Sequence, residues 1–251
     1  MLRNFSVLEE VIGSYRECFV ANSLIDELSS MILADNSARI NILEDDIRSD
    51  REALIVRDPA NREVPDAIIS PNSPFMSVAS YRIGHWLWET SDPRDQPGCR
   101  KKRLAIALQH AARALTGIDI HPAATIGSRF IIDHGYGVVI GQTAVIGEDC
   151  YVLNGVTIGA RGIADNPRGK RHPTIGNRVE IGAFARLLGP IEIGDDVFIG
   201  PLALVTKDIP SNTRVTQRQY APERQPPAFQ SAPFSVYSNA TQENGVHEVV
   251  L

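Results

Sequence analysis

Residues 175–205 read IGNRVEIGAFARLLGPIEIGDDVFIGPLALV, a stretch in which an aliphatic residue returns at every sixth position and is often followed by glycine. Hexapeptide repeats predict a parallel β-helix, in which each repeat is one short strand with its turn and three repeats form one coil. We therefore expect a rigid scaffold of stacked coils over residues 118–210. The same period runs earlier, at Ile120, Ile126 and Ile132 and, after two additional residues, at Ile140, Ile146, Val152 and Ile158.

The flanking parts of the chain carry different patterns. Between residues 5 and 116 apolar residues recur at spacings of three and four, as in RLAIALQHAARALTG (103–117), which is typical of amphipathic helices. Residues 211–251 are rich in Gln, Pro, Ser, Asn and Thr and predict a tail that buries little apolar surface. The predicted fold class is α+β, with an all-helical N-terminal domain (1–117), a β-helix domain (118–210) and a flexible C-terminal tail (211–251).

Composition and charge narrow the class of protein further. The 251 residues carry a formal net charge of −5, which argues against a nucleic-acid partner. No run reaches the roughly 18 apolar residues that a membrane span needs, and the first residues lack the apolar core of a secretory signal. Cys18, Cys99 and Cys150 are few and lack the spacing of metal ligands. We expect a reduced, cytoplasmic protein with no membrane contact and no metal site.

The break in the six-residue period holds the residues best suited to catalysis. Between Ile132 and Ile140 two extra residues widen the turn that contains Asp133 and His134. A histidine in an exposed turn can accept a proton near neutral pH, and a carboxylate that fixes its tautomer makes it a better base. Asp119 is expected about one coil away from His134, though not directly beneath it. The alternative interpretation is a surface histidine with no chemical role.

A second irregularity is the loop ADNPRGKRHPT (164–174), which interrupts the repeat. A loop that leaves a rigid scaffold is a common place for function. Arg168, Lys170 and Arg171 make this loop basic, with His172 beside them, and basic side chains suit a carboxylate or phosphate ligand. The alternative is a solvated cluster of charges.

Several strings of the sequence together resemble the serine O-acetyltransferases, a family of hexapeptide-repeat acyltransferases. The resemblance covers roughly residues 45–210, and it is specific because other hexapeptide acyltransferases share the repeats without these motifs. The motifs are RDPA (57–60), ASYRIGHWLWE (79–89), DIHPAATIG (119–127), DHGYGVVIGQTAVIG (133–147) and RHPTIG (171–176).

The resemblance implies a left-handed β-helix and the transfer of an acetyl group from acetyl-CoA to the hydroxyl of L-serine in a ternary complex. His134 would act as the general base, and Asp119 would orient its imidazole. Asp58 and Asp133 would hold the ammonium group of the acceptor, while Arg171 would hold its carboxylate.

The resemblance also implies the remaining contacts and partners. His172 would lie at the substrate, and the pantetheine arm of acetyl-CoA would run beside Gly182, Ala183 and Pro201. Members of the family assemble as homotrimers or as dimers of trimers, with the active site between neighbouring β-helices. Leu251 stands where the family carries the C-terminal residue that docks into cysteine synthase, which makes that enzyme a candidate partner.

Departures from the family pattern leave two alternatives open. Gln142 stands where the family has glutamate, Gly159–Gly162 replaces a Gly-Gly-Thr-Gly segment, and residues 213–218 replace a segment that borders CoA. The first alternative is a paralogous O-acyltransferase that acts on another β-hydroxy amino acid or uses another acyl-CoA in specialised metabolism. The second is a non-catalytic scaffold or regulatory partner that retains the fold.

Overall fold

The structure, a computed structural model, describes residues 6–17, 22–35, 38–70, 73–92, 100–164 and 168–216. Cys18, Cys99, Leu251 and most of the predicted tail lie outside these ranges. No helix in the described ranges combines the length and the apolar character that crossing a bilayer requires. The helices are α1 (Ser6–Glu17), α2 (Asn22–Ala34), α3 (Ala38–Arg57), α4 (Pro59–Glu63), α5 (Pro74–Glu89) and α6 (Arg100–Thr116), with a 3-10 helix at Pro65–Ile69.

The chain then forms short parallel strands, which confirms the predicted helical region followed by a left-handed parallel β-helix. The strands are β1 (Asp119–Ile120), β2 (Thr125–Ile126), β3 (Ile131–Ile132), β4 (Val139–Ile140), β5 (Val145–Ile146), β6 (Tyr151–Val152), β7 (Thr157–Gly159), β8 (Thr174–Ile175), β9 (Glu180–Ile181), β10 (Arg186–Leu188), β11 (Glu192–Ile193), β12 (Phe198–Ile199), β13 (Leu204–Val205) and β14 (Arg214–Val215). Sheet A contains β1, β4, β7, β10 and β13, sheet B contains β2, β5, β8 and β11, and sheet C contains β3, β6, β9, β12 and β14. Each coil therefore visits the three sheets in turn.

The strand register shows how the β-helix absorbs the two extra residues. Asp119 pairs with Val139, and Val139 pairs with Thr157, so the first step along sheet A is two residues longer than the second. The aliphatic positions remain aligned, with Ile120 beside Ile140, and both side chains are buried. The additional residues are therefore expelled into the turn between β3 and β4, and the core is not disturbed.

The glycine that follows so many of the aliphatic residues is required by close backbone approach. A Cβ atom at Gly147 would lie 2.6 Å from the carbonyl oxygen of Gly176, in the coil above. A Cβ atom at Gly127 would lie 2.7 Å from the carbonyl carbon of Gly147. Distances this short are not tolerated between a side chain and backbone, so stacked coils at the corner between sheets B and C accept only glycine here.

A buried ion pair joins the helices to the first coil of the β-helix. Arg82 Nε donates to Asp50 Oδ2 at 2.8 Å, and its terminal nitrogens donate to the carbonyl oxygens of Ile126 and Gly127, both at 2.6 Å. Asp50 in turn accepts the backbone N–H of Phe130 at 2.8 Å. The central arginine of the string ASYRIGHWLWE thus satisfies both a helix carboxylate and β-helix carbonyls, which fixes α3 and α5 against the scaffold.

The strand ladder continues past the predicted domain boundary at residue 210. Strand β14 pairs with β12 in sheet C, with Arg214 opposite Phe198. The guanidinium carbon of Arg214 also lies 3.8 Å from the centre of the Phe198 ring, a cation–π contact. Residues 211–216 therefore belong structurally to the last coil.

Candidate active site

The turn between β3 and β4 exposes His134. His134 and Gly135 both adopt left-handed backbone conformations, with φ of 57° and 63°. A Cβ atom at Gly135 would collide with the buried side chain of Ile118, so glycine allows the turn to lie this close to the core. The His134 side chain is 79% exposed, and its Nε2 lies 3.9 Å from Asp133 Oδ1.

This turn forms one wall of a cleft of about 290 Å³, and the other walls come from the end of α3, from α4, from the 3-10 helix and from the start of α5. Asp58, Asp133 and His134 all line the cleft, so three of the predicted site residues come together. Asp58 caps the N-terminus of α4, where it accepts the N–H of Ala60 at 2.9 Å and the side-chain amide of Asn61 at 2.5 Å. Two carboxylates and an imidazole in one cleft suit a small ligand that carries both a cation and a hydroxyl.

A second group of predicted residues lies at the corner between sheets A and B. Arg171 donates to Gln142 Oε1 at 2.5 Å. Thr143 Oγ1 accepts the backbone N–H groups of Arg171 and His172, at 3.0 and 3.2 Å, and the N–H of Thr143 points to His172 Nδ1 at 3.1 Å. Thr143 therefore fixes the end of the loop that carries Arg171.

His172 is a buried, neutral ring in this group. Burial, reinforced by the positive charges of Arg171 and Lys170, lowers the pKa of His172 to about 4. Any side chain at Gly141 would collide with the ring, which shows how tightly it packs. Because its Nδ1 accepts from Thr143, His172 shapes the arginine loop in this structure, and its predicted contact with substrate stays a prediction.

Asp119 does not line the cleft that contains His134; it begins β1, and its side-chain contacts are with α6. Its carboxylate accepts hydrogen bonds from Gln109 and from Arg113 Nη1, the latter at 3.1 Å, and the described contacts include none to His134. Burial lowers the pKa of neighbouring His121, an effect that Asp119 opposes and Arg171 reinforces. The predicted orientation of His134 by Asp119 therefore stays a prediction.

A separate groove of about 300 Å³ runs along sheet C and is lined by two of the three predicted donor residues. Gly182 and Pro201 line it, and a Cβ atom at Gly182 would lie only 2.5 Å from the nitrogen of Pro201. Ala183 follows on the same corner, where its carbonyl accepts the N–H of Leu202 at 2.8 Å. The three predicted donor residues are therefore close neighbours on adjacent coils.

Sequence reasoning missed two residues that line this groove, Arg57 and Tyr151. Arg57 directly precedes Asp58, and Tyr151 begins a strand at an outward position of the repeat. Neither position breaks the helical or the six-residue pattern, and the motif RDPA, which begins at Arg57, indicates a role only for Asp58. Gln109 and Arg113, the partners of Asp119, were also missed, although their i, i+4 spacing in α6 puts them on one face of that helix.

Comparisons with known proteins agree on one family. The profile described as "Bacterial transferase hexapeptide (six repeats)" matches residues 172–207. The serine acetyltransferase of Mycobacterium tuberculosis is 44% identical over 176 residues, which cover 70% of this chain and 69% of that protein. Across the similar serine acetyltransferases, the aligned part spans between 50% and 91% of the relative's length.

Solved structures extend the likeness to the helical region. The Neisseria gonorrhoeae serine acetyltransferase in complex with serine has a TM-score of 0.70 and 28% identity, over 85% of this chain and 81% of that one. The Brucella abortus serine acetyltransferase in complex with coenzyme A has a TM-score of 0.70 and 29% identity, over 85% and 78%.

Proposed function

This chain belongs to the serine acetyltransferase family, and we propose that it transfers the acetyl group of acetyl-CoA to the hydroxyl of L-serine, which yields O-acetyl-L-serine and CoA. The observation that carries the proposal is the cleft that Asp58, Asp133 and the exposed His134 line together. The family's structures with serine and with coenzyme A support the same pair of substrates.

In the proposed mechanism His134 is the general base. Its imidazole takes the proton of the serine hydroxyl as that oxygen forms a bond to the thioester carbon. The tetrahedral oxyanion then collapses, the C–S bond breaks, and the imidazolium returns its proton to the departing CoA sulfur. Asp133, with Oδ1 3.9 Å from His134 Nε2, would stabilise the imidazolium, and Asp119 would complete its orientation. Backbone N–H groups are the candidate donors to the oxyanion.

The charges of the site match an amino acid zwitterion. Asp58 and Asp133 would bind the ammonium group, and Arg171 would bind the carboxylate, since guanidinium and carboxylate pair well. Arg171 lies at the corner between sheets A and B, whereas the cleft that the two carboxylates line is at the corner between sheets C and A. A second copy of the chain would bring an Arg171 to this cleft, with His172 behind it.

We therefore propose a homotrimer whose active sites lie between copies. Large apolar side chains that are exposed along sheet A and its adjoining corner support this, because such surface is usually covered by a partner. A dimer of trimers, docking of Leu251 into cysteine synthase and a cytoplasmic location stay predictions. The exposed apolar residues are Tyr136, Val139, Phe184, Leu202 and Leu204.

The direct test is mass-spectrometric detection of O-acetylserine from serine and acetyl-CoA. His134→Ala should lower kcat by on the order of 10²–10⁴, the usual contribution of a general base. His110→Ala is a matched control, because His110 is exposed on α6 and has no assigned role. The proposal fails if the wild type forms no product, or if His134→Ala is as active as the control.

A second candidate is an O-acyltransferase that uses another acyl-CoA. Phe184 and Leu202 hold φ of 61° and 63° at the corner position where Gly155 holds 70°. A left-handed conformation costs a residue with a side chain about 1–2 kcal/mol, so large side chains here are unusual. They adjoin the predicted donor residues Ala183 and Pro201. Measuring kcat/KM for a panel of acyl donors and acceptors tests this candidate. A kcat/KM for serine and acetyl-CoA within about ten-fold of that for the best pair, equivalent to about 1.4 kcal/mol, would count against it.

A further inference from the structure

We infer that Tyr151 is a positioning residue for the acceptor, because it holds the carboxylate of Asp133 directly and, through Arg57, the backbone that carries Asp58. The inference rests on the proposed function, since it concerns the acceptor cleft of that function. It adds a residue that neither the repeat pattern nor the family motifs single out.

The first contact is between Tyr151 and Asp133. Strand β6 pairs with β3, with Tyr151 opposite Ile131, so the tyrosine lies one coil above the turn that carries Asp133. Its hydroxyl donates to Asp133 Oδ2 at 2.9 Å, while Asp133 Oδ1 is the oxygen nearer His134. One oxygen of the carboxylate is thus held by the scaffold, and the other lies nearer the imidazole, at 3.9 Å from His134 Nε2.

The hydroxyl of Tyr151 remains a donor over the working pH range. Burial, the hydrogen bond to Asp133 and the negative charges of Asp133 and Asp58 all raise the pKa of Tyr151 above its ordinary value of 10. The phenol therefore keeps its proton wherever the enzyme works, and its hydroxyl stays a donor to Asp133.

The second contact reaches the other carboxylate through Arg57, the last residue of α3. The Arg57 guanidinium carbon lies 4.9 Å from the centre of the Tyr151 ring. Its nitrogens donate to Glu180 Oε1 at 2.6 Å and to the carbonyl oxygen of Asp149 at 3.2 Å. Since Asp58 is the next residue, these three anchors on the β-helix fix where Asp58 enters the cleft.

Tyr151 therefore sets the separation of the two carboxylates that are proposed to bind the ammonium group. The competing explanation is that the ring only fills space between α3 and the β-helix. The two explanations differ at the hydroxyl, because packing and the cation–π contact need only the ring.

Tyr151→Phe keeps the ring and removes the hydroxyl. We expect the KM for serine to rise about ten-fold, the effect of losing one hydrogen bond to a charged group, with a smaller change in kcat. The KM for acetyl-CoA should change less than the KM for serine, because the ring that lines the groove along sheet C is kept. Tyr81→Phe is the matched control, because it removes another buried hydroxyl, which donates to the carbonyl of Ala124 at 2.7 Å away from the cleft. An unchanged serine KM in Tyr151→Phe, or an equal rise in the control, overturns the inference.

A double-mutant cycle separates positioning from general damage. In an Asp133→Ala background, adding Tyr151→Phe should change kcat/KM for serine by less than about two-fold, because the hydroxyl has lost its acceptor. An undiminished effect in that background means that Tyr151 acts otherwise and contradicts the inference. If wild type makes no O-acetylserine, the proposed function fails instead, so the two failures are distinguishable.

Glu180→Gln tests the part of the inference that runs through Arg57, because it leaves Tyr151 unchanged. Glu180 is half exposed, so the substitution should leave the fold intact. The serine KM should rise by about two- to three-fold, because Arg57 loses its ionic partner. A serine KM identical to wild type contradicts the part of the inference that runs through Arg57.

Discussion

The Nε of Arg82 lies 2.8 Å from Oδ2 of Asp50, and the two side chains are 4% and 1% exposed. The pair sits between α5, α3 and the first coil, where water cannot replace either partner. This attachment also helps to position Asp58 over the β-helix, because Asp50 lies in α3 and Asp58 directly follows the end of that helix.

Removing either partner should therefore destabilise the fold strongly. Arg82→Met leaves a buried carboxylate without its counter-ion, and Asp50→Asn leaves a buried guanidinium, so each should cost about 3–5 kcal/mol of unfolding free energy. Urea denaturation measures the loss. Arg16→Ala is the comparison, since the Arg16–Asp26 pair is mostly exposed and should contribute little. Equal urea midpoints for Arg82→Met and Arg16→Ala would contradict the conclusion that the buried Arg82–Asp50 pair stabilises the fold.

Asp119 and its partner Arg113 should differ sharply in their effect on turnover. Asp119→Asn should lower kcat by on the order of 10²–10⁴ if this carboxylate orients the base. Arg113→Gln breaks only an ion pair whose arginine is 53% exposed, and kcat should stay within about three-fold. Steady-state kinetics of the two variants provide the test. Loss of activity in both would show instead that the α6 contact as a whole is required.

The glycines at the corner between sheets B and C should not tolerate alanine. Gly147→Ala places a Cβ 2.6 Å from the Gly176 carbonyl oxygen, and overpacking of this kind costs about 1–3 kcal/mol. Gly13, in α1, has open space around it, so Gly13→Ala should stabilise by about 0.5–1 kcal/mol through helix propensity. Thermal denaturation should shift in opposite directions for the two variants. A shift in the same direction would refute the close-approach explanation.

Acidic pH should destabilise the protein through His172. Its folded-state pKa of about 4 lies below the ordinary 6.5, so the unfolded chain takes up the proton first as pH falls. The stabilisation is thus fully present above pH 6.5 and is lost as pH falls from 6.5 toward about 4. Urea midpoints at several pH values measure this slope.

His172→Asn is the matching variant, because an amide oxygen can accept from Thr143 without titrating. It should flatten the slope, leaving the part due to His121, whose pKa is lowered by burial as well. An unchanged slope would mean that other groups carry the acid sensitivity.

Patterns within short stretches of sequence predicted the parts of the site that depend on local backbone. The two residues added to the repeat predicted an exposed turn at Asp133 and His134, and the structure has it. The basic loop predicted an arginine site, but its histidine is turned inward, because the fit of a ring over Gly141 depends on the coil beneath. No pattern within a short stretch of sequence could show that Arg57 contacts Tyr151, because the two residues are distant in the chain.

The sequence by itself determined the scaffold, because a six-residue period with glycine at stacked corners is compatible with only one way of burying its aliphatic residues. It also determined which turn departs from that scaffold. Only the tertiary structure decided which oxygen of Asp133 faces His134 and which partners hold Asp119. Those outcomes depend on contacts between coils and between helix and coil. There the length and direction of a side chain determine which residue it contacts, and its position in the six-residue period does not.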